Sequence, residues 1–258
     1  MLKFIPVSIV SILLLGILAA LHQYYYFPWY VFFIPFVVWI TLTAIGSFHI
    51  RWNYHLISLS KAKNAKPNTV SITFDDGPHP KYTPKALALL KQFDAKATFF
   101  CIGKEIAAHP NITAQIVKEG HTIGNHTYSH SHQFGFFSAE QVQEELAQTQ
   151  EILAQSTGKK GLLYRPAFGV TNPNIKKAIK ALKLTSIGWS IRSLDTTKKT
   201  EEQIFQSIIK KLKTGDIILL HDTSEKTIRI LERLLLFLQQ NHYTSVPVDQ
   251  LLEIDAYV

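Results

Sequence analysis

The sequence predicts an α/β domain built on a parallel sheet, with an apolar two-helix hairpin in front of it. From residue 69 onward, short runs rich in β-branched and aromatic residues alternate about seven times with helix-like stretches. Such alternation builds a parallel sheet, either open or closed into a barrel. The polar groups able to do chemistry gather just after those runs, at the strand ends where barrels of βα units place their active sites. Ahead of the domain, residues 4 to about 21 and 29 to about 48 are uncharged and apolar. Each run approaches the roughly 20 residues that a helix needs to cross a bilayer.

Between the two apolar runs lie His22, Gln23, Tyr24, Tyr25, Tyr26, Phe27 and Pro28. Aromatic residues at a helix end suit the headgroup level, so residues 1–50 read as a transmembrane hairpin. A cleaved signal peptide is the competing reading, since Lys3, an apolar core and Ala19-Ala20 fit it in part. The core is long for that, however, and a second apolar span follows. Arg51, Lys61, Lys63 and Lys66, with Trp52 and Tyr54 among them, make residues 51–67 a basic interfacial linker. The domain then occupies residues 68–258. Lys3 precedes the first span and the linker cations follow the second, while the connector has no Lys or Arg. The positive-inside rule therefore puts the domain on the cytoplasmic side of the membrane.

The 258 residues carry 27 Lys and Arg against 19 Asp and Glu, a net charge of +8. A basic balance suits nucleic acid, an anionic membrane surface or a phosphorylated substrate. No nucleic-acid motif accompanies it, which favours membrane lipids or a phosphate-bearing lipid. One cysteine, Cys101, excludes an internal disulfide framework. It follows Ala97-Thr98-Phe99-Phe100 and reads as a buried thiol.

The elements follow in order. Residues 69–74 are a buried strand closed by Gly77-Pro78, and Thr83-Pro84 opens a helix with proline in its first turn. Residues 96–102 are a second strand, residues 112–119 a helix ended by Gly120, and residues 122–125 a short third strand. Ser138 with Gln141 forms a capping signal for a helix to about residue 156. Residues 162–165 and 184–189 are the fourth and fifth strands, with a helix from Asn172-Pro173 between them. Thr200 with Gln203 caps a further helix. Residues 216–220, nearly all apolar, are a strand covered on both faces. An amphipathic helix over residues 224–240, a seventh strand over 244–248 and a last helix complete the chain.

After the first strand stand Asp75 and Asp76. Side by side these carboxylates repel, and one can be neutralised by a cation while the other acts as a base. A plain surface turn is the bland alternative. After the third strand, His126 and His130 have the i, i+4 spacing that puts two imidazoles on one face of a helical turn, a common metal-ligand arrangement. His121 and His132 flank them, so a merely histidine-rich loop also fits. Arg165 follows the fourth strand, Trp189, Arg192 and Asp195 the fifth, and His221 and Asp222 the sixth. Two histidines and an aspartate would leave a metal position open for water.

These motifs resemble those of the polysaccharide deacetylases, the chitooligosaccharide deacetylase-like enzymes of carbohydrate esterase family four. Thr73-Phe74-Asp75-Asp76-Gly77-Pro78 matches the first motif and His126-Thr127-Tyr128-Ser129-His130 the second. Arg165-Pro166-Ala167-Phe168-Gly169 resembles the third, and Leu219-Leu220-His221-Asp222 the fifth. They occur in family order and cover roughly residues 68–250. The resemblance implies a distorted (β/α)7 barrel and hydrolysis of an N-acetyl group on an amino sugar. It implies that Asp76, His126 and His130 bind a divalent metal, zinc being the expected ion. Asp75 would be the general base, kept ionised by Arg165, and His221 the general acid. Phe168 and Trp189 would stack on a sugar face, and a backbone N–H near Phe168 would meet the oxyanion. The fourth motif departs: Trp189 and Asp195 keep their places, but Arg192 stands where an acidic residue usually tunes the catalytic histidine. Asp195 or Asp222 would have to serve instead, and Arg192 could bind an anionic part of the substrate.

Three functions compete: a membrane-anchored metal-dependent amidase, a carbohydrate-binding pseudoenzyme, and a membrane scaffold of a glycan assembly system. A binding module needs neither a base nor an acid, so the complete set favours the enzyme. The substrate would be an N-acetylated glycan, peptidoglycan and chitin oligomers included, or a lipid-linked amino sugar. Many relatives work on envelope polymers, which pulls towards the extracytoplasmic side; a cytoplasmic site beside the bilayer suits a lipid-linked sugar better.

Overall fold

The structure is a computed structural model that describes residues 2–258; the first residue of the expected hairpin lies outside them. Helices α1 (Phe4–Tyr25) and α2 (Phe33–Phe48) fold back on one another. At the turn the His22 ring meets Phe32, and at the far end Trp39 donates its indole N–H to the Ser8 hydroxyl at 2.9 Å. Only 6% and 11% of the most apolar windows of the two runs are buried, so nearly all of this apolar surface faces outward. Both are long and apolar enough to cross a membrane.

The domain follows as β1 (Ser58–Leu59), β2 (Thr69–Asp75), α3 (Tyr82–Gln92), β3 (Ala97–Cys101), α4 (Gly103–Ala108), α5 (Pro110–Lys118), β4 (Thr122–Asn125), α6 (Ala139–Thr157) and β5 (Leu163–Tyr164). It continues with α7 (Pro173–Ala181), β6 (Thr185–Ile187), β7 (Ile191–Arg192), α8 (Glu201–Ile209), β8 (Ile217–His221), α9 (Glu225–Gln240), β9 (Thr244–Ser245) and α10 (Val248–Leu252). Among the described residues the sheet runs β1-β6-β5-β4-β3-β2-β8-β7, with β9 paired to the start of β2, and every one of these pairs is parallel.

The sheet is a curled, barrel-like array of βα units, as the sequence predicts, but it is not zipped shut. β6 and β7 are neighbours in the chain yet part company across residues 188–190. There the Gly188 N–H bonds the Leu59 carbonyl at 2.9 Å and the Ser190 N–H bonds the Ile217 carbonyl at 3.1 Å. The rim is spanned instead by an antiparallel bridge between Lys61 and Asp216, whose side chains pair at 2.7 Å.

Residues 51–67 differ from the expected interfacial linker. They contribute β1, and Tyr54, His55, Leu56 and Ala62 are buried. The physical reason is an edge: without β1, β6 would present unpaired backbone groups. The hairpin is joined to this stretch. The Phe4 N–H bonds the Tyr54 carbonyl at 3.0 Å, and the Tyr54 ring lies where a Cβ on Gly46 would collide with it.

The main core lies under β2, β3 and β8, where Phe74, Phe99, Ile218 and Leu220 meet Leu231, Leu234 and Leu235 of α9. β2 sits between β3 and β8, so the loop after Asp75 opens at the centre of the sheet. The capping boxes read at Ser138/Gln141 and Thr200/Gln203 both form, with each side chain reciprocally bonded to the other residue's N–H.

Candidate active site

The parallel register places Asp75 of β2 beside His221 of β8, one strand away. The sequence therefore brings a carboxylate and an imidazole together simply by ending both strands at the same level. Asp76 continues from β2 in a left-handed conformation with φ of 72°. That turn points the chain away from the strand and presents the second carboxylate to the loop after β4.

His126 and His130 lie on that loop. It is not helical, contrary to the reading of a helical turn. Thr127 and His130 take φ of 67° and 49°, which breaks any helix. The loop is held from inside: Asn125 accepts from the Thr127 N–H, and the Glu145 carboxylate of α6 accepts from the N–H groups of Tyr128 and Ser129 at 2.9 and 2.8 Å. Left-handed residues cost on the order of 1–3 kcal/mol each and persist where surroundings over-determine them. Asp76, Thr127, His130 and Phe168 all have positive φ and all stand at this site.

Asp76, His126 and His130 offer ligand atoms that lie within 4.8 Å of one another. Asp76 Oδ1 is 3.4 Å from Nε2 of each histidine. Two ligands about 2.0–2.2 Å from an ion at a tetrahedral angle stand about 3.4 Å apart, so the spacing fits a zinc-sized cation. His126 Nδ1 bonds the Arg165 carbonyl at 2.9 Å, which leaves Nε2 to accept a metal and fixes the ring. The donor set of one carboxylate and two imidazoles suits such an ion. Burial alone would raise the Asp76 pKa, but the hydrogen bond from His126 and the nearby imidazoles hold the carboxyl well below the usual carboxylate range. Burial works against charge on His126, and Asp75 and Asp76 overcome it and raise its pKa; at His130, burial and the His126 charge push the pKa down to about 4. Neighbouring imidazoles resist a second proton, which favours a shared cation over two protonated rings.

Arg165 is fully buried and holds Asp75. Its Nη1 donates to Asp75 Oδ1 at 2.8 Å and to Thr73 Oγ1 at 2.7 Å, its Nη2 to the Gly188 carbonyl at 2.9 Å, and its plane lies 4.0 Å from the Phe100 ring centroid. A buried guanidinium so fully bonded fixes one oxygen of Asp75 in place.

His221 is held by Asp195. Oδ1 meets His221 Nδ1 at 2.8 Å, and Oδ2 accepts the His221 main-chain N–H and the Thr227 hydroxyl, each at 2.8 Å. Ser193 Oγ donates to Oδ1 at 2.8 Å. Burial would lower the His221 pKa, but Asp195, then Asp75 and Asp76, lift it to about 9. Asp222 takes no part in this pairing. It is buried, accepts the Thr83 hydroxyl, and burial pushes its pKa up to about 7. Arg192 is exposed on β7, with its guanidinium 5.9 Å from the Trp189 ring, outside the Asp76, His126 and His130 cluster. Trp189 is half-buried beneath the turn at Gly169, where a Cβ would stand 2.6 Å from the indole. Phe168 lies 4.4 Å from the His130 ring and 5.4 Å from His132. His121 turns inward and accepts the Ala97 N–H, so it belongs to the core. Thr73, Glu145, Ser193 and Thr227 support the site and carry no sequence signal of their own, being ordinary strand, helix and loop residues until folded.

The polysaccharide deacetylase family model matches residues 62–187. A peptidoglycan-N-acetylglucosamine deacetylase of Bacillus cereus is 36% identical over 71% of this chain and 87% of its own length. The peptidoglycan-N-acetylmuramic acid deacetylase PdaA of Bacillus subtilis is 33% identical over 73% of each. Among solved structures, the Bc1960 peptidoglycan N-acetylglucosamine deacetylase superposes with a TM-score of 0.71 at 28% identity, over 77% of this chain and 94% of that one. On this likeness of sequence and fold, the chain belongs to the polysaccharide deacetylase family. It is a hydrolase of carbon–nitrogen bonds other than peptide bonds, acting on carbohydrate.

Proposed function

We propose that the chain is a membrane-anchored, metal-dependent deacetylase that removes the N-acetyl group of an amino sugar. The observation that carries this is the placement of Asp75 and His221 on adjacent strands around the Asp76, His126 and His130 cluster. Those three residues would hold a divalent ion, zinc by its fit, which when bound lowers the pKa of water and polarises a carbonyl. Asp75 receives the proton of the attacking water, with Arg165 holding one oxygen of the carboxylate in place. Asp195 engages Nδ1 of His221, so the proton given to the leaving amine comes from Nε2. Within the turn after Arg165, the N–H groups of Gly169 and Val170 bond the Pro166 and Ala167 carbonyls. The Phe168 N–H is the candidate donor to the developing oxyanion. Phe168 and Trp189 give the sugar apolar faces, and Arg192, exposed at the rim, suits an anionic substituent.

α1 and α2 would span the bilayer, with the catalytic domain on the cytoplasmic face by the distribution of Lys and Arg. The likeness to peptidoglycan deacetylases supports an N-acetylated glycan substrate. The deciding experiment uses the full chain in nanodiscs and measures acetate release from N-acetylchitooligosaccharides and from peptidoglycan fragments. Chelation should abolish release and added zinc should restore it. Release that persists with the metal demonstrably removed overturns the metal-dependent reading. Glycan binding without acetate release would support the pseudoenzyme instead.

A further inference from the structure

A groove of about 520 Å³ runs between α2 and the active-site loops. That is the size of a pocket for an organic ligand rather than a packing defect. One wall is a single face of α2, with Trp39, Ile40, Ala44 and Phe48. The other is made by Phe136 and Phe168. None of the lining residues is Asp, Glu, Lys or Arg. Most of the polar groups among them are already bonded: the Thr171 N–H to the Ser47 carbonyl, the Ser47 hydroxyl with His55, the Thr43 hydroxyl with Tyr54 and the Asn172 amide to the Gly135 carbonyl, which leaves the His132 ring and the Thr171 hydroxyl. Most of what remains open is hydrocarbon, with the His132 ring at the end beside Phe168. Phe136 is 91% exposed and Phe168 43% exposed, unusual for residues beside a polar catalytic centre.

Two continuities identify the occupant. Phe168 belongs both to the groove and to the site, its ring 4.4 Å from the ligand His130. At the other end, residues 39–48 rise about 1.5 Å apiece along α2, so the wall extends about 14 Å up the span. A soluble polymer would find few free donors or acceptors there, whereas a hydrocarbon chain needs none. We infer that the groove takes the hydrocarbon tail of the substrate, and that the sugar deacetylated is one carried on a lipid. The tail lies against Ile40, Ala44 and Phe136, the head turns past Phe168, and the N-acetyl group reaches the Asp76, His126 and His130 cluster. This deepens the deacetylase reading and rests on it.

The test uses the full chain in phospholipid nanodiscs. Two substrates are compared: N-acetylglucosamine joined through phosphate to a polyprenol, and free N-acetylchitopentaose. Ala44→Trp and Ile40→Trp, both at exposed positions, fill the groove without touching the catalytic groups. The kcat/KM for the lipid-linked sugar should fall about tenfold or more in each, because every methylene kept out forfeits about fourfold. Turnover of the pentaose should stay within about twofold of wild type. Both variants keep the hairpin, so co-residence in the bilayer cannot produce the difference. A sugar-phosphate polyprenyl probe with a diazirine in the tail, on the isoprene units nearest the phosphate, should label peptides spanning residues 39–48 and 132–137, and lose that labelling in Ala44→Trp. Equal falls on both substrates, an unchanged ratio, or labelling confined to other surfaces would overturn the inference. Equal labelling by a diazirine phospholipid that carries no sugar would make the groove a site for bulk lipid and overturn it too. Failure of the wild type to release acetate from either substrate would instead sink the deacetylase reading itself, which separates the two.

Discussion

Asp195 sets the proton affinity of a residue 26 positions away, using one carboxylate oxygen on the imidazole and the other on the main chain. Asp195→Asn should keep its bound metal, lose about 10–100-fold in kcat, and move the alkaline limb of the pH profile down. A limb that stays in place would remove this role. Stability follows the same linkage. The folded His221 pKa is raised above its ordinary 6.5 to about 9, so the stabilisation is complete below pH 6.5 and lost as pH rises through 9. The destabilisation of Asp195→Asn should therefore shrink over that window in urea titrations. Asp222→Asn should leave the alkaline limb unchanged, since Asp222 bonds Thr83 rather than His221. Asp75→Asn and His221→Ala should retain metal and lose about 10²–10⁴-fold in turnover. Asp76→Ala and His126→Ala should lose metal and activity together, measured by elemental analysis of the purified variants. The candidate site residues could be picked out in the sequence because each follows a strand. The choice between Asp195 and Asp222 could not be made there, since both follow strands and only the packing against Thr83 or His221 separates them.

At the scale of elements, the loop that carries His126 and His130 depends on a helix that contributes no side chain to the Asp76, His126 and His130 cluster. Glu145 of α6 accepts from two N–H groups between His126 and His130. Glu145→Ala strands both donors and should weaken metal binding about tenfold, with partial rescue by Glu145→Gln. Competition with a chromogenic chelator would measure it, and unchanged affinity would show that the loop holds itself. α6 and α8 were readable from their capping residues, because a cap is a local device. β1 and β7, two residues each, were not: their only reason to be strands is the neighbour they pair with, β6 and β8 respectively. The His126 to His130 spacing suggested a helix for the same reason. Spacing constrains which residues meet, but the left-handed turns that bring them together are imposed by Asn125 and Glu145.

At the scale of the whole molecule, the hairpin and the domain are joined at several points. Phe4 bonds Tyr54, Thr171 bonds Ser47, and Ser47 meets His55. A chain starting at residue 50 keeps β1, whereas one starting at residue 60 loses it and frees the edge of β6. The second should show a lower melting temperature and more aggregation than the first, and equal behaviour would make β1 dispensable. Fusion of a phosphatase and of a fluorescent protein after Val258 should give a dark phosphatase and a bright fluorescent signal if the domain is cytoplasmic. These joints also change the kinetics that apply. If α1 and α2 span the bilayer as proposed, the enzyme does not search a volume, because the Ser47 and Tyr54 contacts tie the domain to those helices. For a substrate confined to the same sheet of lipid, encounters happen in two dimensions, and the governing quantity is molecules per area. Diluting vesicles in buffer should leave turnover per enzyme unchanged, while diluting the substrate with inert phospholipid within each vesicle should slow it.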